Sequence, residues 1–186
     1  MNSYYKLENF NNEEKKIGIE ILKILNKKKL PKCWRKDKDK IRSYHHVKTG
    51  FINQKEARSM IIGEIYFQGK LKTAYYTNKY LELYNKLKLL MKTHNPNYEF
   101  SSIYVNHNTK SKKHIDGRNM KISYIVGLGD YEGGECNLYI NEKKHSLDIK
   151  ECFLSFNSGK IIHSNEKFKG NRYTFVFFKH STNKQT

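Results

Sequence analysis

From Phe100 to His180 the chain is a succession of short runs rich in β-branched and aromatic residues, and that period limits the folds open to it. The runs are Phe100–Asn106, Lys121–Gly127, Glu135–Ile140, His145–Ile149, Cys152–Phe156, Lys160–His163 and Arg172–His180. Gly, Asn and charged residues separate them, as turns separate strands. Many short strands at this spacing point to a sandwich or jelly roll.

The first half of the chain reads differently. Residues 12–29 have helical period, with Ile17, Ile21, Ile24 and Leu25 on one face. Asn11 is placed to cap this helix and Glu14 to complete a capping box. A second helix is expected over 78–93, started by Thr77, buried through Tyr80, Leu81, Tyr84, Leu87 and Met91, and ended at Asn95-Pro96. Between them lie a basic stretch from Lys27 to Arg42 around the single Trp34, and short strands expected near 43–47, 50–52 and 58–67. His45 and His46 in this region have no ligand spacing to a second metal-binding residue, so they read as ordinary polar residues or substrate contacts. The fold class is therefore α+β and β-rich, a jelly-roll core with an N-terminal and a central helix packed on it. At 186 residues the expectation is one domain. Residues 1–44 hold the helix and basic stretch, and 45–180 the functional core.

The formal net charge is +18. A Lys-, Asn- and Ile-rich composition with almost no Ala fits an AT-rich coding bias. That bias should also raise Glu, yet acidic residues are only half as frequent as basic ones, 18 against 36. A domain this basic favours a polyanionic partner, most often nucleic acid. The Lys27–Arg42 stretch is either a solvated loop, a phosphate-contacting arm or a nuclear-localisation signal. No run of eighteen apolar residues occurs, so no membrane span is expected. Cys33, Cys136 and Cys152 form no C-x-x-C and are odd in number, as in an intracellular protein with reduced thiols. Nucleus, cytoplasm and a viral setting are all compatible with that reading, and a monomer is expected.

The chemistry centres on His114-Ile115-Asp116, with His163 and Arg172 downstream. Two histidines and a carboxylate are the facial ligand set of a non-haem Fe(II) oxygenase. Alone the H-x-D is weak, since about one H-x-[DE] arises by chance in a chain of this composition. Taken singly, His163 is more often a turn histidine and Arg172 a surface charge. The order of all four within a short-stranded β region is what carries the reading. In extended chain, residues i and i+2 share a face, so His114 and Asp116 can reach one metal. His163 ends a strand from the other half of the fold. Arg172, across the turn 166–170, is placed to grip a dicarboxylate through its planar fork. The run Gly127-Leu-Gly-Asp-Tyr-Glu-Gly-Gly-Glu135 is expected to be a tight positive-φ turn between core strands. As a phosphate loop it is poor, with no Lys-Ser/Thr and no helix after it.

On these stretches the chain resembles the Fe(II)/2-oxoglutarate dioxygenases, and among them the TET/J-base-binding-protein type of nucleic-acid base hydroxylases. The matching segments are Arg58-Ser-Met-Ile-Ile-Gly63, Ser101-Ser-Ile-Tyr-Val-Asn106, His114-Ile-Asp-Gly-Arg-Asn119, Ser123 through Glu135, Phe153-Leu-Ser-Phe156, and His163 to Gly170-Asn-Arg-Tyr173. They cover roughly residues 45–180 in family order. The resemblance implies a double-stranded β-helix. It implies Fe(II) bound by His114, Asp116 and His163, and 2-oxoglutarate bound by Arg172. Asn106, Asn119 and Ser123 become candidate contacts to the ligands or the co-substrate. O2 would be the second co-substrate, with ascorbate as a reductant. The implied reaction is hydroxylation of a base methyl, on 5-methylcytosine or thymine, with DNA favoured over RNA. Such a methyl is out of reach in a stacked duplex, so the nucleotide must be flipped or single-stranded.

Two alternatives stay open. A prolyl- or lysyl-type protein hydroxylase of the same fold would show the same H-x-D, Gly-Gly turn and distal His, although those enzymes usually carry Lys where Arg172 stands. A non-catalytic nucleic-acid-binding module with a relic site is the other, and an intact triad with Arg172 argues against it.

Overall fold

The structure is a computed structural model and describes residues 4–31, 57–117 and 119–180. The expected strands near 43–47 and 50–52, His45, His46 and most of the basic stretch lie outside the described residues.

In chain order the elements are β1 (Tyr5–Asn9), α1 (Asn12–Lys27), β2 (Arg58–Phe67), β3 (Lys70–Thr73), α2 (Tyr75–Lys79), α3 (Leu81–His94) and β4 (Ser102–His107), followed by β5 (Asn119–Gly133), β6 (Cys136–Ile140), β7 (Lys143–Leu147), β8 (Cys152–Phe156), β9 (Ile162–Asn165) and β10 (Phe168–His180). Seven strands form a major sheet in the order β1-β8-β5-β10-β4-β2-β3, and three form a minor sheet in the order β7-β6-β9. Among the described residues every strand pair in the two sheets is antiparallel, as a jelly roll requires.

Alternation along the strands sets the two faces of the major sheet. Met60, Ile62, Ile103, Val105, Phe175 and Phe177 point to the helices and are at most 3% exposed. Residues of opposite parity, Ser59, Ile61, Tyr104, Thr174 and Val176, line a cavity between the two sheets. The sheet thus separates an apolar, helix-covered core from the cavity.

α1 starts as expected. Asn11 accepts a hydrogen bond from the Glu14 amide at 2.9 Å, and the Glu14 carboxylate accepts one from the Asn11 amide at 2.7 Å. Its buried face, Ile17, Ile21 and Leu25, packs in the core with α3. The central helix departs from expectation. Thr77 does not start it but sits inside α2, where its hydroxyl donates to the Gly63 carbonyl at 3.0 Å and accepts from the Gly63 amide at 2.9 Å. The helix breaks at Tyr80 (φ −120°, ψ 37°) and α3 begins with a new phase. Leu83, Leu87, Leu90 and Met91 then form the buried stripe, while Leu81, two residues before its first member, turns out to 49% exposure.

β1 has no counterpart in the expected elements. It is an edge strand whose burial alternates only weakly, and it pairs with β8 from Tyr5↔Phe156 to Asn9↔Cys152. The expected turn over 127–135 is also corrected. β5 runs unbroken to Gly133, and only Gly133-Gly134 makes the turn. β10 correspondingly begins at Phe168, inside the expected 166–170 turn, and pairs with β5 from Phe168↔Gly133 onward. The glycines inside this strand serve close approach. At Gly129 (φ +119°) a Cβ would stand 2.1 Å from the Asn171 carbonyl oxygen. Gly129→Ala therefore combines a disfavoured backbone with a backbone clash, and is expected to lower stability by about 2–4 kcal/mol. Urea unfolding of the variant against wild type measures this.

Candidate metal centre and cavity

His114 lies in the connection between β4 and β5, and His163 lies within β9. An antiparallel bridge joins them, each amide donating to the other's carbonyl at 2.9 Å. Asp116 is fixed two residues on by its own amide, which donates to the Ser158 carbonyl at 2.8 Å. These backbone ties bring a loop and a strand distant in sequence to one point. A ligand atom from each of His114, Asp116 and His163 lies within 4.8 Å of the others. His114 Nε2 is 3.7 Å from Asp116 Oδ1, and His163 Nε2 is 3.6 Å from Asp116 Oδ2. Three ligands on one octahedral face at bonds of about 2.1 Å stand about 3 Å apart, so the three side chains draw in, by up to about 1.8 Å for the widest pair, to close on an ion.

Both rings are held in the required orientation. His114 Nδ1 is 2.7 Å from the Lys112 carbonyl, and His163 Nδ1 is 2.9 Å from the Ile161 carbonyl. A carbonyl accepts only, so Nδ1 is the donor in each ring and Nε2 is the atom turned toward Asp116. Burial pushes the Asp116 carboxyl up. His163, His114 and Ser158 together outweigh it and hold the group below the ordinary carboxylate range, in its ligating form. Nearby Cys136, fully enclosed, has its thiol pushed up to about 12 by burial. It lines the cavity and stands outside the His114–Asp116–His163 cluster.

Behind Asp116 lies a small polar network. Asn119 Nδ2 donates to Asp116 Oδ2 at 3.3 Å, to Ser158 Oγ at 3.0 Å and to Ser123 Oγ at 3.3 Å, and the two hydroxyls are 2.8 Å apart. Asn119 and Ser123 are thus placed against the carboxylate, while Asn106 lines the cavity wall on β4. Ser158 was not singled out in the sequence. Its only signal there is an Asn-Ser-Gly turn after β8. Groups that orient a ligand typically tune metal affinity 10–100-fold. Asn119→Ala is expected to weaken Co(II) binding about tenfold, read from the visible absorption of the Co(II)-substituted protein.

Arg172 extends from β10 into the same cavity, whose volume is about 410 Å³. It is 3% exposed. Nη2 donates to the Gly134 carbonyl at 2.8 Å, whereas the buried Nε has no hydrogen-bond partner. The guanidinium carbon stands 5.4 Å from the ring centroids of both Tyr131 and Phe168. Burial depresses the Arg172 pKa, yet a guanidinium keeps its charge in proteins. Among the described residues no carboxylate lies within ion-pair distance of it. A buried cation without an anion is costly unless a ligand supplies one. Gly134 is part of the cradle, because a Cβ there would meet Arg172 Nε at 2.7 Å. The caging rings and Gly134 were not read as cavity parts from the sequence.

The arrangement fits a divalent metal at a mouth and a dicarboxylate reaching inward to a caged guanidinium. The donor set, two imidazoles and one carboxylate with open positions, suits Fe(II). The unpartnered Nε suits a hydrogen bond donated to a ligand carboxylate.

No family model and no curated protein sequence matches the chain. Solved structures do. NgTET1 in complex with 5mC DNA is similar at 13% identity and TM-score 0.60, over 98% of this chain and 74% of that one. A prolyl hydroxylase from Trichoplax adhaerens, in complex with a hypoxia inducible factor oxygen degradation domain peptide fragment, is similar at 14% identity and TM-score 0.57, over 96% and 84%. A Pseudomonas putida prolyl-4-hydroxylase is similar at 13% identity and TM-score 0.52, over 95% and 92%. The chain accordingly has the jelly-roll fold of the 2OG-Fe(II) oxygenases, as its short strands and the order of His114, Asp116, His163 and Arg172 led one to expect.

Proposed function

We propose that the protein is an Fe(II)- and 2-oxoglutarate-dependent dioxygenase that hydroxylates a methylated base, 5-methylcytosine or thymine, in nucleic acid, with DNA favoured over RNA. The observation that carries the enzyme class is the sharing of one cavity by the His114–Asp116–His163 cluster and the caged, anion-seeking Arg172. When bound, iron and 2-oxoglutarate supply the oxidising chemistry, with O2 as the second substrate. The chain's own residues do the rest. His114, Asp116 and His163 hold the metal on one face. The carbonyls of Lys112 and Ile161 keep the imidazoles in the ligating tautomer. Asn119 and Ser158 steady the carboxylate, and Arg172 fixes the distal carboxylate of the co-substrate. The apolar wall, including Ile125 and Val176, keeps water from the reacting centre.

The net charge of +18 supports a polyanionic substrate. A second reading, a protein hydroxylase, is supported by the likeness to two prolyl hydroxylases at TM-scores of 0.57 and 0.52. Succinate formation separates them. Methylated oligonucleotides are expected to stimulate it, and proline- or lysine-containing peptides are expected not to. Stimulation by peptides alone would transfer the assignment to the second reading.

A further inference from the structure

Beyond the cavity, the β2–β3 hairpin is an exposed apolar and basic feature of the described residues. From Ile65 to Tyr80 the chain has three lysines, no Asp or Glu, and aromatic residues at 66, 67, 75, 76 and 80. A two-residue turn at Gln68-Gly69 closes the hairpin, with φ of 50° and 79°. Phe67 is 53% exposed, and Tyr75, at the start of α2, is 81% exposed. All four residues of β3 are exposed.

Register locates this hairpin relative to the cavity. Arg58 and Tyr173 both face His107 across their ladders, and Gly63 and Phe178 both face Ser102, so β2 and β10 run side by side in one direction with β4 between them. Arg172 and Phe178 both line the cavity, six residues apart along β10. The hairpin beyond Gly63 therefore projects past Phe178, away from Arg172. At about 3.3 Å per residue, Phe67 stands about 13 Å beyond Gly63. Glu64 and Leu71 turn to the helix side, beside Tyr84. Ile65, Phe67, Lys70 and Lys72 then continue the cavity side of the sheet, where Ser59 and Ile61 already lie. The Lys72 ammonium sits 5.4 Å from the Phe67 ring centroid, on that same face. Tyr75 packs edge-on against Tyr76 at 5.0 Å, and Tyr76 lines the cavity itself.

We infer that the β2–β3 hairpin and the start of α2 form a ledge that holds the single strand flanking a target nucleotide, with bases stacked on Phe67 and Tyr75 and phosphates met by Lys70 and Lys72. The inference rests on the base-hydroxylase reading and adds the element that carries the strand to the cavity. The chemistry selects this occupant: exposed rings beside lysines, in a segment without Asp or Glu, suit a stacked polyanion.

The test is fluorescence anisotropy with fluorescein-labelled single-stranded DNA and RNA oligonucleotides. Phe67→Ala and Tyr75→Ala should each raise Kd at least about fivefold, and Phe67→Tyr should restore it. Lys70→Ser with Lys72→Ser should make the log Kd against log salt slope shallower by about 1.4. Thermal unfolding confirms that each variant is folded. If wild type binds the strands and the aromatic variants stay within twofold of it, the ledge is refuted and the base-hydroxylase reading stands. If wild type binds neither oligonucleotide at low salt, the ledge and that reading fall together.

Discussion

Alanine at His114, Asp116 or His163 is expected to cut 2-oxoglutarate turnover by about a thousandfold or more while the protein stays folded. Each residue supplies one corner of a three-atom face, and the remaining two cannot hold a metal with its open positions on one side. The bridge between His114 and His163 is made by backbone groups, so alanine at either position keeps it. None of the three belongs to either hydrophobic cluster of the fold. Succinate release reports the loss, and circular dichroism with thermal unfolding reports the fold. A near-wild-type rate in any one variant removes that residue from the centre.

Arg172→Lys is expected to raise the KM for 2-oxoglutarate about tenfold or more, with a smaller effect on kcat. The planar fork between Tyr131 and Phe168 becomes a point charge on a flexible stem. A bidentate, charge-assisted pair is reduced to a single contact, a loss on the order of 1.5–3 kcal/mol. The effect should fall on KM because the distal carboxylate is gripped equally before and during reaction. An unchanged KM would mean that another cation holds the co-substrate.

The strands were legible where a short apolar run stands between polar turns. Cys152–Phe156 was read to the residue because Phe153, Leu154 and Phe156 are all buried and polar turns bound them. The four chemical residues were legible as types in an order, since histidine is scarce and the H-x-D is compact. Their convergence was not, because it depends on an amide of His114 meeting a carbonyl of His163 some fifty residues away. The same long-range origin hid Ser158, which reaches Asn119 across two elements. Tyr131 and Phe168 both fall in segments read as turns, until the β5–β10 register set them around Arg172. The glycine run misled because two causes of glycine look alike in sequence. Gly133 and Gly134 turn the chain, whereas Gly129 admits the backbone of its neighbour. Thr77 misled in a related way, since a good capping side chain was committed to Gly63 instead.

Mass spectrometry of nucleosides tests the central claim most directly. Methylated DNA and RNA are incubated with the protein, Fe(II), 2-oxoglutarate and ascorbate, then digested and compared with the Asp116→Ala variant. The account predicts a base nucleoside heavier by one oxygen, formed only with wild type and only when iron and 2-oxoglutarate are both supplied. Unchanged nucleosides in both DNA and RNA, with succinate still released and a hydroxylated peptide in its place, would contradict it.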